Sequence, residues 1–300
     1  MIQIVKKRKI WLTFSGALSV IAIICIAVWG LNFGIDFTGG SLLEVNFINA
    51  TPGVDQVRQA LTDIELNSLS VQATEGSNFI LRFQEASEDM HQQILISLST
   101  LATELNSDST IDELRFESVG PSIGQELKTK AIYAIVIALI GIVLYIAWAF
   151  SKVSKPVASW KYGLTAIISL THNVIIVLGV FAILGRFFGF EVNTPFVAAI
   201  LTIIGYSVND TIVVFDRIRE NLPKSDDDFE ATVNLSVNQS LSRSINTSVT
   251  TLIVLLSVLF FGGATIRSFI LALSMGVFIG TYSSIFLASP LLVVWEKFNK

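Results

Sequence analysis

A single acidic residue, Asp210, interrupts the apolar stretch that runs from Glu191 to Asp216. An ionisable group inside a membrane-spanning helix is costly and rare, and it usually faces the interior of a helix bundle and has a function. A carboxyl that is balanced between burial and a nearby cation can bind and release a proton. Two interpretations stay open for Asp210: a proton-transfer site, or a permanently paired residue that only holds helices together.

Arg243 is the cation that the sequence offers as a partner for this carboxyl. It lies at the start of the fifth apolar stretch, at a depth that we expect to match that of Asp210. The alternative for Arg243 is an ordinary basic residue at the cytoplasmic end of a helix.

Polar residues recur at helical spacing in three of the apolar stretches. They are Thr165, Ser169, His172 and Asn173 in the third stretch, Thr202, Tyr206, Asn209 and Asp210 in the fourth, and Arg243, Thr247, Thr250 and Thr251 in the fifth. Because a lipid-facing helix would not collect such residues, we expect them to meet inside the bundle. They form either a hydrated proton relay or hydrogen-bonded contacts between helices. His172, which is protonatable near neutral pH, is open to both interpretations.

The composition defines the elements that must position these residues. The chain is 52% apolar and 15% charged, whereas soluble domains are about 45–50% apolar and about 25% charged. One Cys excludes a disulfide scaffold, and 20 Lys and Arg against 24 Asp and Glu give no reason to expect nucleic acid as a partner. These values indicate a protein that crosses the membrane several times.

Gaps between charged residues predict six membrane-spanning helices, each needing about 20 apolar residues. The gaps lie between Lys9 and Asp36, Lys130 and Lys152, Lys161 and Arg186, Glu191 and Asp216, Arg243 and Arg267, and Arg267 and Glu296. The first stretch is too long for a typical signal peptide, and no A-x-A-like site follows it, so we expect a retained anchor.

The distribution of basic residues predicts the orientation. Thirteen Lys and Arg, among them Lys152, Lys155 and Lys300, fall in the termini and alternate short loops, whereas the opposite short loops hold only Arg186 and Arg267. The positive-inside rule then places both termini in the cytoplasm.

The segment from Asp36 to Leu127 is the one sizeable soluble segment, and it is predicted to lie outside the cytoplasm. Strand-like alternation and helical spacing follow one another in the order βαββαβ, which is the ferredoxin-like arrangement. Thr51 and Pro52 are expected to begin its first helix and Ser87 to cap its second. The predicted division is residues 1–35 for the N-terminus and first span, 36–127 for this domain, and 128–300 for the other five spans.

Motifs for other chemistry are weak or missing from the sequence. It contains no Walker loop and no Cys and His cluster, and no G-x-S-x-G surrounds Ser207, which with His172 could otherwise suggest a serine protease. We therefore expect no enzyme, no metal and no bound cofactor. Gly276 and Gly280 form a G-x-x-x-G that predicts close helix packing.

Four motifs resemble those of SecF subunits in the SecD/SecF family of the bacterial Sec protein-export machinery, part of the resistance-nodulation-division superfamily. The motifs are Gly34–Gly40 after span one, Val119–Leu127 before span two, Gly205–Asn221 in span four, and Gly280–Ile285 in span six. With the six spans and the single outer domain, the resemblance covers nearly the whole chain.

The resemblance implies a partner, SecD, that supplies the other six-helix half of the bundle, association with the SecYEG channel, and an unfolded preprotein as cargo in the bacterial cytoplasmic membrane. It implies that protons, as the coupling ion, drive late-stage export. The proton relay would be Asp210, Arg243, His172 and Asn209. The coupling motif would be Gly34, Asp36, Phe37, Gly39 and Gly40, and the second-span entry motif Gly120, Pro121 and Gly124.

One position departs from the family pattern. The family has His-Asp in span three, whereas this chain has His172-Asn173, and Asn cannot carry a charge. Our sequence-based hypothesis is that protonation of Asp210 weakens its pairing with Arg243, and that residues 36–40 transmit the change to the outer domain. The alternatives are half of a proton-driven efflux or lipid transporter, and a structural assembly subunit without proton transfer.

Overall fold

The protein, studied here as a computed structural model, is described for residues 1–64, 66–74, 76–84, 87–149 and 157–297. The chain forms two compact units, one comprising Met1–Asn32 and Ala131–Lys300 and the other Phe33–Lys130. Of the basic residues used to predict orientation, Lys152, Lys155 and Lys300 lie outside the described residues.

Ten α-helices and four strands follow one another along the described part of the chain. They are α1 (Arg8–Trp29), α2 (Ile35–Thr38), β1 (Gly40–Ile48), α3 (Val54–Ala60), β2 (Ser70–Ala73), β3 (Asn78–Phe83), α4 (Glu88–Leu105), β4 (Thr110–Val119), α5 (Pro121–Ala149), α6 (Ser159–Phe188), α7 (Thr194–Asn221), α8 (Phe229–Phe261), α9 (Ala264–Ser283) and α10 (Ser289–Lys297). Residues Ser284–Ala288, here called the π segment, form one π-helical stretch between α9 and α10.

Six helical stretches in the described ranges are long and apolar enough to cross a membrane, as predicted. Five of them are α1, α5, α6, α7 and α8, and the sixth is α9 continued through the π segment into α10. The chain is therefore a multi-pass membrane protein. In spans three, four and six, at least half of the residues in the most apolar part of the helix are buried inside the protein. In spans one, two and five, fewer than one-fifth of these residues are buried.

Local sequence signals determine where the central helices begin and end. The Asn193 carboxamide oxygen accepts the Phe196 N–H at 3.0 Å and caps α7, and Asp228 caps α8 through the Ala231 N–H at 2.7 Å. Gly189 ends α6 in the left-handed conformation with φ 71°. These caps fix the register of α7 and α8 and therefore the faces that their polar residues occupy.

Small residues allow the buried helices to approach closely, as the G-x-x-x-G predicts. A Cβ at Gly280 of α9 would lie 3.2 Å from the Ser207 Cβ of α7, and one at Gly276 would overlap Ile203. Between α6 and α1, a Cβ at Gly179 would lie 2.6 Å from the Ala22 Cα. The α7 and α9 backbones are thus in near contact at the level where Asp210 lies.

The smaller unit has the predicted ferredoxin-like order, with an antiparallel sheet in the strand order β2-β3-β1-β4. Leu43 on β1 lies opposite Leu81 of β3 and Phe116 of β4, on the sheet face that α3 and α4 cover. Ile94 and Leu98 of α4 are fully buried against this face. The alternating apolar residues that predict the strands are therefore those that form the core.

The start of α3 differs from the prediction that Thr51 and Pro52 begin this helix. The helix starts at Val54, and its cap is Gly53, whose backbone N–H donates to the Gln56 side-chain oxygen at 2.8 Å. This side chain reaches back from the third helical position, so Thr51 is left outside the helix. At α4 the prediction is confirmed, because the Ser87 hydroxyl accepts the Met90 N–H at 3.3 Å.

Candidate functional site

Asp210 lies in the interior of the larger unit, with its side chain buried. The Ser284 hydroxyl at the start of the π segment donates a hydrogen bond to Asp210 Oδ2. Ser244 of α8 also faces this carboxylate, although its buried Oγ makes no hydrogen bond of normal geometry within the described residues. Hydroxyls from two other helices therefore surround a carboxylate in a region of low dielectric constant, where hydrogen bonds to a charge are strongest.

His172 begins a hydrogen-bonded chain that runs from α6 to α7. Its Nδ1 lies 3.0 Å from Asn173 Oδ1, and Asn173 Nδ2 donates to Ser207 Oγ at 2.7 Å. Because the amide uses its N–H toward Ser207, its oxygen accepts from His172, which fixes the neutral imidazole proton on Nδ1. Ser207 lies one helical turn before Asp210, so the chain ends next to the carboxylate.

Asn173 is fully buried. It acts as a neutral connector, since one end of the amide accepts a hydrogen bond and the other donates one. An unpaired carboxylate at the same place would carry the cost of burying a charge. The position is therefore a hydrogen-bonding one in this chain.

The polar residues of α6 face the interior as predicted. Thr165 and Ser169 are fully buried, and His172 is 6% exposed. Among the residues that the structure describes, the Thr165 Oγ1, Ser169 Oγ and His172 Nε2 atoms have no hydrogen-bond partner. Buried polar atoms without partners are rare in folded proteins, and each needs a functional or structural reason.

The predicted ion pair between Asp210 and Arg243 is not formed in the structure. Arg243 is exposed on α8, and its neighbour Ser244 is the residue that faces the carboxylate. Consecutive residues on an α-helix point about 100° apart, so one residue of displacement moves a side chain to another face. Asn209 is exposed on α7 for the same reason, next to the buried Asp210.

The polar stripe predicted for the fifth span also lies on the exposed side of α8, contrary to the expectation that it meets the other stripes. Thr247 and Thr250 are exposed, and the Thr250 and Thr251 hydroxyls donate to carbonyls of their own helix at 2.9 Å. Threonine hydroxyls satisfy themselves this way within a helix, so Thr250 and Thr251 need no partner helix. We use the name exposed polar set for Asn209, Arg243, Asn246 and Thr247.

Serines that were not predicted as site residues take the interior positions of α8. Ser236, Ser240, Ser244 and Ser248 are all buried. Ser248 Oγ lies 3.1 Å from the Tyr206 hydroxyl and also contacts Thr281 Oγ1 of α9. Four serines at intervals of four residues are the signal that could have identified this face, since residues four apart share one side of a helix.

Two glycine-containing motifs that were predicted separately lie against each other in the smaller unit. Gly40 pairs with Val119 between β1 and β4, which brings the start of α5 to the Gly39 backbone. A Cβ at Gly39 would lie 2.8 Å from the Pro121 Cα, and one at Gly124 would lie 3.0 Å from the Gly39 nitrogen. The coupling motif and the second-span entry motif therefore form one packed element.

Backbone conformation adds a second reason for glycine in the coupling motif. Gly39 and Gly40 have φ values of 74° and 123°, which L-amino acids with a side chain rarely adopt. Gly34 precedes α2, a four-residue helix that contains Asp36 and the buried Phe37. The segment that the sequence-based hypothesis expects to transmit movement to the outer domain is thus a short helix followed by two glycines with positive φ.

His91 of the smaller unit is buried between two acidic residues. Its Nδ1 is 3.4 Å from Glu88 Oε1 and its Nε2 is 3.3 Å from Glu113 Oε2, and its ring stacks on Phe116 at 3.8 Å. A hydrogen bond from Gln92, with His91 as a smaller contributor, holds the pKa of the Glu88 carboxyl below its usual value. Within the described ranges, no group of three His, Cys, Asp or Glu side chains could hold a metal ion.

The chain has six candidate spans, one small α+β domain between the first two, and a buried carboxylate in the fourth. This arrangement defines its class as a polytopic membrane protein. Residues 99–298 match the family model described as protein export membrane protein SecD/SecF, C-terminal, and residues 26–47 match the SecD/SecF GG motif. The chain belongs to the SecF family of protein translocase subunits.

Individual relatives agree with this assignment. The protein translocase subunit SecF of Thermobaculum terrenum is 43% identical over 99% of this chain and 95% of its own length. The SecF of Anaerolinea thermophila is 40% identical, with the same coverage of both chains. The crystal structure of SecDF, a translocon-associated membrane protein from Thermus thermophilus, has a TM-score of 0.83 and 33% identity over 98% of this chain. This chain spans 38% of that SecDF chain.

Proposed function

We propose that this chain works with SecD as an accessory subunit of the Sec translocase, and that the pair uses the proton-motive force to promote a late stage of protein export. The observation that carries the proposal is the environment of Asp210. It is a buried acidic residue in the middle of the fourth span, and its contacts are neutral hydroxyls rather than a cation. A permanent structural ion pair would require a cation in contact with this carboxylate.

Buried polar atoms near this carboxylate support its proposed role in proton binding. The chain from His172 through Asn173 to Ser207 ends one turn away from Asp210. Thr165 and Ser169 add buried hydroxyls on the same helix as His172. A proton that crosses a membrane potential of 100 mV releases about 2.3 kcal/mol. This energy shifts a two-state equilibrium more than tenfold, since about 1.4 kcal/mol corresponds to a factor of ten.

SecD is the partner that the exposed polar set favours. Asn209, Arg243, Asn246 and Thr247 are exposed within spans four and five. Polar and charged groups facing lipid are costly, so another protein is expected to cover them. SecDF, in which this chain corresponds to one part of a longer polypeptide, is consistent with SecD as that protein. Arg243 thereby acts at the subunit contact instead of pairing with Asp210.

The remaining parts of the proposal follow the family. The chain lies in the bacterial cytoplasmic membrane with both termini in the cytoplasm and residues 36–127 outside. It contacts lipid, the SecYEG channel and the emerging preprotein, and it carries out no hydrolytic chemistry of its own. The packed element formed by Gly39, Pro121 and Gly124 is well suited to transmit helix movement to the outer domain, because it joins the chain segments that enter and leave that domain.

The test is preprotein export into inverted membrane vesicles that contain the Asp210→Asn variant, with and without an imposed proton gradient. We expect the gradient-dependent part of export to be lost while the complex still assembles. Asp216→Asn is the matched control, since Asp216 is a partly exposed residue six positions later that pairs with Arg219 at 2.7 Å. Full gradient-dependent export by Asp210→Asn would refute the proposal.

A further inference from the structure

The π segment interrupts the sixth span where this span meets Asp210. Ser284–Ala288 follow α9, and Ser289 and Pro290 follow them at the start of α10. Pro290 has no N–H and cannot continue the α-helical hydrogen-bond pattern. The Ser289 hydroxyl instead donates to the Ser284 carbonyl, five residues earlier, at 2.9 Å. Single π turns inside α-helices are rare and frequently occur at functional sites.

Ser284 connects this irregular backbone to the buried carboxylate. Its hydroxyl donates to Asp210 Oδ2, and the Thr281 carbonyl oxygen lies 3.1 Å from the same hydroxyl. Its own carbonyl accepts the Ser289 hydroxyl that spans the π segment. The Ser284 hydroxyl therefore has two acceptors within reach, the Asp210 carboxylate and the Thr281 carbonyl. Of these two, the carboxylate becomes a weaker acceptor when it binds a proton.

The chemistry of the carboxyl determines which acceptor the hydroxyl uses. An ionised Asp210 only accepts hydrogen bonds and holds the Ser284 hydroxyl as a donor. A proton on Asp210 neutralises the charge, and the carboxyl then has a donor of its own. The charge-assisted hydrogen bond is lost, and the Thr281 carbonyl becomes the better acceptor for Ser284.

We propose that Ser284 is the positioning residue that couples the charge state of Asp210 to the conformation of the π segment. With Asp210 ionised, Ser284 is held toward α7 and the π turn is stabilised. With Asp210 neutral, Ser284 turns to its own helix and the sixth span is free to rearrange between α9 and α10. The inference rests on the proposed proton-transfer role of Asp210.

Within the described residues, Ser244 and Ser284 are the side chains that contact the Asp210 carboxylate, and no ionisable group of a neighbouring helix is among these contacts. His172 of α6 pairs with Asn173, and the Tyr282 hydroxyl of α9 lies 3.0 Å from Ser15 Oγ of α1. Arg243 of α8 is exposed. Ser284 is therefore the described side chain that joins the carboxylate of Asp210 to the backbone of the sixth span.

The experiment compares Ser284→Ala with Ser283→Ala in the complete translocase complex reconstituted into proteoliposomes. Ser283 is the matched control, because it is fully buried and adjacent, and its hydroxyl donates to the Gly280 carbonyl at 3.0 Å. The measurements are gradient-driven export as a function of pH, and backbone hydrogen exchange of residues 284–289. Hydrogen exchange does not require activity, so it reports on the π segment separately.

We expect Ser284→Ala to shift the pH midpoint of gradient-driven export upward by about one unit, because the ionised carboxylate loses a charge-assisted hydrogen bond. Exchange in residues 284–289 should become faster, and its protection relative to the intrinsic exchange rate should no longer depend on pH. Ser284→Thr, which keeps the hydroxyl, should restore both properties, and Ser283→Ala should resemble the unmodified protein.

A pH profile and an exchange pattern in Ser284→Ala that match the unmodified protein would overturn the inference. Equal shifts in Ser283→Ala and Ser284→Ala would also overturn it, since they would indicate a general packing effect. Asp210→Asn separates this inference from the proposed function. If Asp210→Asn abolishes gradient-dependent export while Ser284→Ala changes nothing, only the role of Ser284 is wrong.

Discussion

Helices α7 and α8 each carry polar residues on a buried side and on an exposed side. Residues that are adjacent in the sequence lie on different sides. Asp210 and Ser244 are buried and face each other, whereas the preceding residues Asn209 and Arg243 are exposed. The buried side is completed by hydroxyls from this chain, among them Ser284. Within the described residues the polar groups of the other side remain exposed, and we propose that SecD covers them. Under our proposal, proton binding and association with SecD use adjacent positions of the same two helices.

The largest expected effect comes from disturbing the close packing behind the buried side. Gly276→Val adds a side chain where even a Cβ would overlap Ile203 of α7. Overpacking costs about 1–3 kcal/mol and occasionally more, so we expect much less folded protein and a lowered Tm in detergent.

Gly205→Ala is the comparison variant for that prediction, because a Cβ at Gly205 on the exposed part of α7 would meet nothing within 4 Å. It should keep normal yield and Tm. Equal losses in the two variants would show that the contrast between buried and exposed sides is wrong.

A smaller effect is expected from breaking the polar chain between α6 and α7. Asn173→Ala leaves His172 Nδ1 and Ser207 Oγ without the bonds of 3.0 Å and 2.7 Å that they make to this amide. Buried polar groups that lose a partner cost about 1–3 kcal/mol. Thermal unfolding in detergent should therefore start at a lower temperature than in Asn246→Ala, which removes an exposed amide from α8. A Tm for Asn173→Ala as high as that of Asn246→Ala would contradict the assignment of the chain to the buried core.

The smallest expected effect is a difference in the free energy of unfolding between variants at two adjacent residues of α8, Thr247 and Ser248. Ser248→Ala removes contacts to Tyr206 and Thr281, so the free energy of unfolding should fall by about 1 kcal/mol. Thr247→Ala changes an exposed residue, and we expect a change within about 0.5 kcal/mol for the chain without SecD. Reversible unfolding in mixed detergent measures both values, and the opposite ranking would count against the two-sided description.

Much of the fold could be predicted from the sequence, because apolar length and alternation determine it directly. The six spans and the order of the ferredoxin-like domain are confirmed. The close approach at Gly276 and Gly280 was also predictable, since small residues four apart permit it. The start of α3 was not, because Gln56 caps it from inside the helix, and a side chain can do this only once the helix has formed.

The site could be predicted only in part. A charge inside an apolar stretch identifies Asp210 and the direction of its side chain, since burial away from lipid is the cheaper option. The direction of Arg243 depends on the rotation of α8 about its own axis, which is determined by packing and by the Asp228 cap rather than by local charge. The proximity of Ser284 depends on the π segment, whose rare hydrogen bonding has no simple periodic signal.

The central claim is that Asp210 acts in proton coupling and Arg243 in association with SecD. The most direct test prepares Asp210→Asn and Arg243→Ala in parallel, and measures SecD co-purification and gradient-dependent export into vesicles for each. The account predicts that Asp210→Asn retains SecD and loses the gradient-dependent step, whereas Arg243→Ala releases SecD. If Arg243→Ala retains SecD fully and loses gradient-dependent export as Asp210→Asn does, the two residues act together as a pair and the account is wrong.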